Sequence, residues 1–207
     1  MRRKPSPHEE PILTSELLLR MEAMAREGDV QLGKLLEAAG SRAHAMALVV
    51  LVLPEALPLP VVGLSTIFGI PLMILSGHLV VFGSGRGIPR RLAQRSLPSG
   101  LVLLVAGKAA PVLRWVERLS RPRWQHFARR ERLLALACLV LALVITLPIP
   151  FGNLPPAVCL LAIAAGMVQR DGMLAAAGLA GAVAVSGIAV IAADFLARWV
   201  GGFFAAG

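Results

Sequence analysis

Two long stretches with almost no charge, each interrupted near its middle by closely spaced prolines, constrain this chain more than any other feature. The segment from Ala43 to Gly85 carries one formal charge, Glu55, and the segment from Leu133 to Gln169 carries none. Both are longer than the ~20 residues that cross a bilayer as a helix, and the prolines exclude one straight helix in either of them. We therefore expect two helical hairpins, each broken at its prolines, in an integral membrane protein.

The composition supports this class. Hydrophobic residues make up 57% of the 207 positions and charged residues 16%, whereas soluble globular domains have ~45–50% and ~25%. A soluble domain of this size would have too few polar side chains to cover its surface. The composition therefore excludes an ordinary cytosolic enzyme, a disordered chain and a secreted disulfide scaffold, and it favours an all-α integral membrane protein.

The proline break occurs twice, which predicts an internal repeat. Leu57-Pro58-Leu59-Pro60 recurs 90 residues later as Leu147-Pro148-Ile149-Pro150. After the break, three glycine pairs align at an offset of 89 residues: Gly63 with Gly152, Gly77 with Gly166, and Gly83 with Gly172. We expect two equivalent breaks whose inner surfaces face each other, defined by Pro58, Pro60, Pro148 and Pro150.

Charge divides the chain into five regions. The net charge is +9, but residues 84–132 carry twelve basic and two acidic side chains, whereas residues 1–42 carry seven of each. Basic segments beside apolar runs mark the cytoplasmic side of a membrane and attract anionic lipid head groups, so we expect the lipid bilayer as partner and no nucleic acid. The regions are an amphipathic cytosolic or interfacial region (1–42), a first membrane hairpin (43–83), a basic juxtamembrane segment (84–132), a second membrane hairpin (133–171) and a C-terminal transmembrane helix with its tail (172–207).

Two topologies are compatible with the repeat. If residues 84–96 and 114–132, with net charges of +4 and +5, both lie in the cytoplasm, each hairpin enters and leaves on that side and the repeats are parallel. If residues 97–113 cross the bilayer instead, the repeats are inverted, as in many transporters. The positive charge of both stretches favours the parallel arrangement.

Several motifs resemble those of one known family. The main motif runs from Leu53 to Pro60 and continues from Leu64 to Leu72; further matches are Val30 to Leu36, Gly40-Ser41-Arg42, Arg90 to Leu97, Leu147 to Pro150 with Gly152-Asn153, and Arg170-Asp171-Gly172. Over residues 15–200 the chain resembles the ExoD exopolysaccharide-synthesis membrane proteins of bacteria. It departs from them at Gly87-Ile88-Pro89-Arg90, where Pro-Trp-Leu-Pro is frequent, and at His78, where Gln is common. The resemblance implies a multi-pass protein of the bacterial inner membrane linked to exopolysaccharide production, and it implies no molecular activity.

Glu55 is the strongest candidate for a functional residue. A carboxylate in the middle of a membrane helix costs ~2.5–3.5 kcal/mol on insertion scales, and the adjacent proline break frees backbone carbonyls. We expect Glu55 to form a proton or cation site with Ser65, Thr66 and Asn153 as polar neighbours and His78 as a relay. The alternatives are a turn at the lipid head groups for Glu55, helix capping for Ser65, Thr66 and Asn153, and simple packing for His78.

Motifs of catalysis are missing from the sequence. It contains no Gly-x-Ser-x-Gly elbow, no His-Glu-x-x-His, no phosphate loop and no His/Cys cluster with metal spacing, so we expect no enzymatic activity, no metal and no cofactor. Cys138 and Cys159 are expected to be small buried hydrophobic residues. Two small-residue pairs in the last helix, Ala177 with Gly181 and Gly178 with Ala182, permit close helix packing and a homodimer.

Two functions remain for such a chain. Paired hydrophobic segments interrupted by Pro and Gly are the best sequence indication of a transporter binding site, which favours a small transporter or an ion- or proton-coupled carrier. The alternative is a membrane scaffold or regulator of polysaccharide assembly that transports nothing. A scaffold should tolerate Gln at position 55, whereas a carrier should not.

Overall fold

The computed structural model describes residues 14–36, 42–57, 64–119, 123–147 and 152–205. Nearly all of them are helical, which confirms the expected all-α class. The described helices are α1 (Thr14–Glu27), α2 (Leu32–Leu36), α3 (Ala43–Ala56), α4 (Leu64–Phe82), α5 (Arg90–Ala93), α6 (Ser99–Leu119), α7 (Gln125–Ala128), α8 (Glu131–Thr146), α9 (Leu154–Gln169) and α10 (Gly172–Ala205). The prolines expected to define the breaks, Pro58, Pro60, Pro148 and Pro150, lie outside the described residues.

Helix α3 occupies the centre of the fold. Twelve of its 14 residues are buried, from His44 to Glu55, because it packs against α9, α4 and α6. A helix that is apolar on every side is typical of a core surrounded by protein or lipid. The run from Ala45 to Leu53 is aliphatic throughout apart from Met46, so the sequence suits this central position.

The two hairpins pack across each other. The first helix of the first hairpin, α3, packs against the second helix of the second hairpin, α9, and α4 packs against α8. Each of these contacts is more extensive than the contact between the two helices of one hairpin. At Gly69 of α4 an added Cβ would lie 2.6 Å from Oγ1 of Thr146, so a glycine is needed for this approach. Two equivalent hairpins would pack in this way, with the first helix of each against the second helix of the other. The internal repeat itself stays a prediction.

The motif Arg170-Asp171-Gly172 forms the corner between α9 and α10. Arg170 ends α9 in the left-handed conformation, with φ of 55°. The carboxylate Oδ1 of Asp171 accepts hydrogen bonds from the backbone N–H groups of Met173 (3.0 Å) and Leu174 (3.2 Å), which caps the start of α10. A Cβ at Gly172 would collide with the carbonyl oxygen of Trp124, so the corner also fixes the approach of α7.

The small residues of α10 pack inside the chain. A Cβ at Gly178 would lie 2.8 Å from the backbone nitrogen of Ile163, and one at Gly181 would lie 2.6 Å from the sulfur of Cys159. Both neighbours belong to α9, so this glycine face is already covered by the second hairpin. The two glycines thus serve close helix packing within the chain, and the homodimer stays a prediction. Cys138 is fully buried and Cys159 partly buried, as free thiols.

Helix α10 is the one helix within the described ranges that is long and apolar enough to cross a membrane, over Gly172–Phe195. This agrees with the expected C-terminal transmembrane helix. The apolar parts of α3, α4 and α9 are shorter than such a span. Helix length therefore gives no support to the expectation that the hairpins make the protein multi-pass.

The N-terminal region packs on the helical body. Helix α1 lies against α6 with Met21 and Ala25 buried, and a two-residue antiparallel ladder pairs Val30 with Leu97 and Gln31 with Ser96. Residues 97–113 are the stretch that would cross the membrane in the inverted topology. Most of them belong to α6, which is not among the helices long and apolar enough to cross a membrane. The carboxylate of Asp29 accepts a hydrogen bond from the backbone N–H of Ser99 (3.1 Å) and so caps α6.

Candidate functional site

The carboxyl group of Glu55 lies in the last turn of α3, where the first hairpin breaks. The side chain is 8% exposed, and its Oε2 accepts a hydrogen bond of 3.1 Å from the hydroxyl of Ser65, in the first turn of α4. Its Oε1 is buried and has no hydrogen-bond partner. The hydrogen bond between Ser65 and Oε2 thus joins the two described ends of the first break, while Oε1 accepts no hydrogen bond.

Asn153 connects this carboxylate with the break of the second hairpin. Its Nδ2 donates to the hydroxyl of Ser65 (2.6 Å) and to the backbone carbonyl of Ile145 (3.1 Å), in the last turn of α8. Carbonyls at the end of a helix lack an intrahelical partner, so the second bond satisfies one of them. The result is a continuous chain from Ile145 through Asn153 and Ser65 to Glu55, which bridges the ends of both hairpins.

Helix capping does not account for Asn153. The residue stands at the N-cap position of α9, but its side chain makes no capping hydrogen bond there. Its amide reaches across to the first hairpin instead, and its Oδ1 is buried without a partner. Thr66 lies in the first turn of α4 beside Ser65, and its side chain is outside the part of the molecule that is described.

The chemistry of this polar chain suits a proton or a hard cation. A carboxylate, an amide oxygen and a hydroxyl are oxygen ligands of the kind that hard cations prefer. The two unpartnered atoms, Oε1 of Glu55 and Oδ1 of Asn153, are both acceptors, and buried acceptors are normally satisfied. Protonation of Oε1 would remove the buried charge of Glu55 and turn this acceptor into a hydrogen-bond donor. Among the described residues no three His, Cys, Asp or Glu side chains come together as a metal site.

His78 lies elsewhere and forms no relay with Glu55. Its ring stacks on His44 with centroids 5.6 Å apart and planes 9° apart, and it also contacts Phe82 at 4.9 Å. His44 begins α3 while Glu55 ends it, which separates them by about 16 Å of helix rise. The direct relay expected between His78 and Glu55 is therefore wrong in this structure.

The stacked histidines adjoin a cleft that the sequence analysis did not predict. The cleft has a volume of about 430 Å³ and lies at the end of α3 opposite Glu55. Its charged and polar lining side chains are Arg42, His44, Ser84, Arg129, Glu131 and Arg170. The only sequence signal for it is that arginines flank both hairpins, and this does not reveal that they meet.

Known proteins support one assignment. The family described as "Exopolysaccharide synthesis, ExoD" matches residues 14–201. The chain is 26% identical to Protein ExoD of Rhizobium meliloti over 170 residues, which cover 79% of this chain and 70% of that protein. It is 25% identical to an uncharacterised protein of Synechocystis sp. over 153 residues, 72% of each chain. No solved structure gives a significant match. The family match covers most of the chain, and we conclude that it belongs to the ExoD family of exopolysaccharide-synthesis proteins.

Proposed function

We propose that this ExoD-family protein is a bacterial inner-membrane carrier that moves a proton or a small cation through the site formed by Glu55, Ser65 and Asn153. The observation that carries the proposal is the hydrogen-bonded chain joining the two helix breaks, with a carboxylate oxygen left unpartnered. Sites of this kind, at the junction of two broken helical segments, are typical of secondary transporters. The link to exopolysaccharide synthesis would be the supply or balance of ions during polysaccharide export.

The outer faces of the helices support immersion in lipid. On α8 the buried residues alternate with an exposed stripe that is also apolar: Leu133, Leu136, Val140 and Leu143. On α4 the exposed stripe consists of Ile67, Ile70, Ile74 and Val81. Exposed apolar patches of this extent are unusual on soluble monomers and mark membrane or partner contacts. The part of α10 from Ile188 to Phe195 is largely exposed and mostly apolar in the same way, as Ile188, Ile191 and Phe195 illustrate.

Helix lengths favour hairpins that enter the bilayer without crossing it. Helix α3 has 14 residues and α8 and α9 have 16 each, which gives about 21–24 Å of rise against a hydrocarbon core of ~30 Å. Helix α4 is longer, with 19 residues and about 28 Å of rise, but its apolar part covers only Ile67–Phe82. Irregular backbone at membrane depth is tolerated where protein covers it, and here Asn153 joins the described ends of the two hairpins through Ser65 and Ile145. In this arrangement α10 crosses fully, and Glu55 lies inside the bilayer near its middle.

Flux through reconstituted vesicles tests the proposal. Full-length protein in proteoliposomes containing a pH-sensitive dye should dissipate an imposed proton gradient, or an imposed Na⁺ or K⁺ gradient, several-fold faster than protein-free vesicles. The reason is that the site offers a titratable carboxyl group inside an otherwise apolar body. If the protein moves neither protons nor these cations, the carrier proposal fails and the scaffold alternative replaces it.

The re-entrant arrangement predicts that both basic stretches lie on one side of the membrane. Single cysteines at the exposed positions Ser96 and Gln125, in a chain in which Cys138 and Cys159 are replaced, should both be protected from an impermeant maleimide in intact cells. Both should react after the membrane is permeabilised. Labelling of one cysteine in intact cells and protection of the other would show that the chain crosses the bilayer between them, which excludes this topology.

A further inference from the structure

The cleft at the end of α3 opposite Glu55 is assembled from four parts of the chain. Arg42 and His44 come from the start of α3, Ser84 follows α4, Arg129 and Glu131 lie at the junction where α7 ends and α8 begins, and Arg170 ends α9. Its volume of about 430 Å³ falls in the range of small-molecule sites, ~300–1,000 Å³. The cleft therefore has room for more than a single small ion.

The charge of the cleft is positive and not neutralised from within. Three arginines face one carboxylate, and that carboxylate is engaged, since Oε2 of Glu131 accepts a hydrogen bond from the backbone N–H of Ser84 (3.3 Å). Arg42 and Arg170 line the same cleft, and burial and the positive charge of Arg170 both lower the pKa of Arg42, so the two guanidinium groups repel each other. An anion bound between them would relieve this repulsion.

His44 adds a buried polar atom without a partner. The side chain is 2% exposed and lines the cleft, and its Nε2 makes no hydrogen bond. The ring is held by the stack with His78 and by a hydrogen bond with the backbone of Gly87. Buried polar groups in native proteins nearly always have a partner, so an unpartnered nitrogen on a fixed ring at a cationic cleft is available to a ligand.

We propose that this cleft binds a phosphate-bearing ligand, with Arg42, Arg129 and Arg170 around the phosphate and His44 Nε2 accepting a hydrogen bond from a phosphate hydroxyl. Guanidinium groups form bidentate hydrogen bonds with phosphate oxygens. The volume of the cleft accommodates a diphosphate or a phosphate with an organic substituent. The proposal does not depend on ion transport at Glu55. The phosphate can come from a soluble molecule or from a lipid head group, because the cleft lies at the basic end of the protein, where lipid phosphates are also found.

Binding of inorganic pyrophosphate to the purified full-length protein in detergent tests the soluble source. Tryptophan fluorescence, to which Trp124 at the start of α7 contributes together with Trp115 and Trp199, or calorimetry gives the affinity. The variants Arg42→Gln and Arg170→Gln should each weaken binding by about tenfold or more, since a hydrogen bond to a charged group contributes roughly 1.5–3 kcal/mol. Arg91→Gln is the matched control, because Arg91 is exposed on α5 and outside the cleft.

A second arm tests the lipid source. Mixed micelles containing phosphatidic acid are compared with micelles of phosphatidylcholine alone, with the same variants and the thermal midpoint of each variant as a check of folding. Saturable, cleft-dependent binding of pyrophosphate alone identifies a soluble ligand, and cleft-dependent binding of phosphatidic acid alone identifies a lipid. Loss of affinity in His44→Phe, with Arg91→Gln unchanged, supports the assigned contact. If neither probe binds, or if all variants including Arg91→Gln lose affinity equally, the proposal is overturned.

Discussion

Replacing Glu55 by glutamine should reduce proton or cation flux in proteoliposomes to the level of protein-free vesicles, a several-fold loss. Glutamine retains the size of the side chain and an oxygen that can accept the hydrogen bond from Ser65. It loses the negative charge and the ability to bind and release a proton, which is the property that the proposed carrier needs. The measurement is the initial rate of dye response under an imposed gradient, with wild type and variant reconstituted at equal protein content.

The control for this experiment is Glu22→Gln. Glu22 lies on α1, exposed and paired with Arg26 at 2.7 Å, so the substitution makes the same change of charge far from either break. It should leave the flux unchanged, because exposed ion pairs contribute little to stability. If wild type transports and Glu55→Gln transports equally well, the carrier survives, and Glu55 is a turn residue with no part in ion movement.

Replacing Gly178 by alanine should destabilise the protein by about 1–3 kcal/mol, the usual cost of inserting a methyl group into a packed core. The added Cβ would lie 2.8 Å from the backbone nitrogen of Ile163 and 2.9 Å from the carbonyl oxygen of Cys159. Both contacts are with backbone of α9, which cannot move aside as a flexible side chain can. We expect a thermal midpoint in detergent lower by several degrees, since ~1 kcal/mol shifts it by about 2–4 °C in a chain of this length.

Gly187→Ala on the same helix is the opposite case. No atom lies within 4 Å of a Cβ at this position, so the substitution makes no new contact and only raises helix propensity, by roughly 0.5–1 kcal/mol. The two alanine variants should therefore change the midpoint in opposite directions. Equal and small effects would mean that α9 and α10 do not approach each other as closely as described.

The sequence predicted the helices well because their limits are set by local signals. Charged residues flank the apolar runs, prolines interrupt them, and Arg170-Asp171-Gly172 separates α9 from α10. Residues 97–113 were harder, because an apolar stretch that packs against α1 on one side resembles a marginal membrane span in composition. The short ladder between β1 (Val30–Gln31) and β2 (Ser96–Leu97) could not be predicted, since it depends on segments that are distant in sequence.

The candidate site was predictable in its residues and not in its connections. A single carboxylate in an uncharged run selects Glu55, and polar residues after each break select Ser65 and Asn153. That Asn153 donates to Ser65 rather than capping its own helix follows from the crossed packing of the hairpins, which no local pattern encodes. The neighbour of His78 was not predictable for the same reason. His78 does lie on the expected helix, α4, but α4 runs back along α3, so its ring meets His44.

The crossed hairpins also determine when the chain can complete its core during synthesis. Helix α3 ends at Ala56 and its main partner, α9, begins at Leu154; at ~5–20 residues per second the ribosome needs on the order of 5–20 s to produce the intervening chain. During that time this buried apolar helix has, of its main packing partners, only α2, α4 and α6 beside it, so the insertion machinery must shield its remaining surface. The two hairpins are for this reason not separable modules, and a gene cut between them would encode two fragments that each lack half of a shared interior.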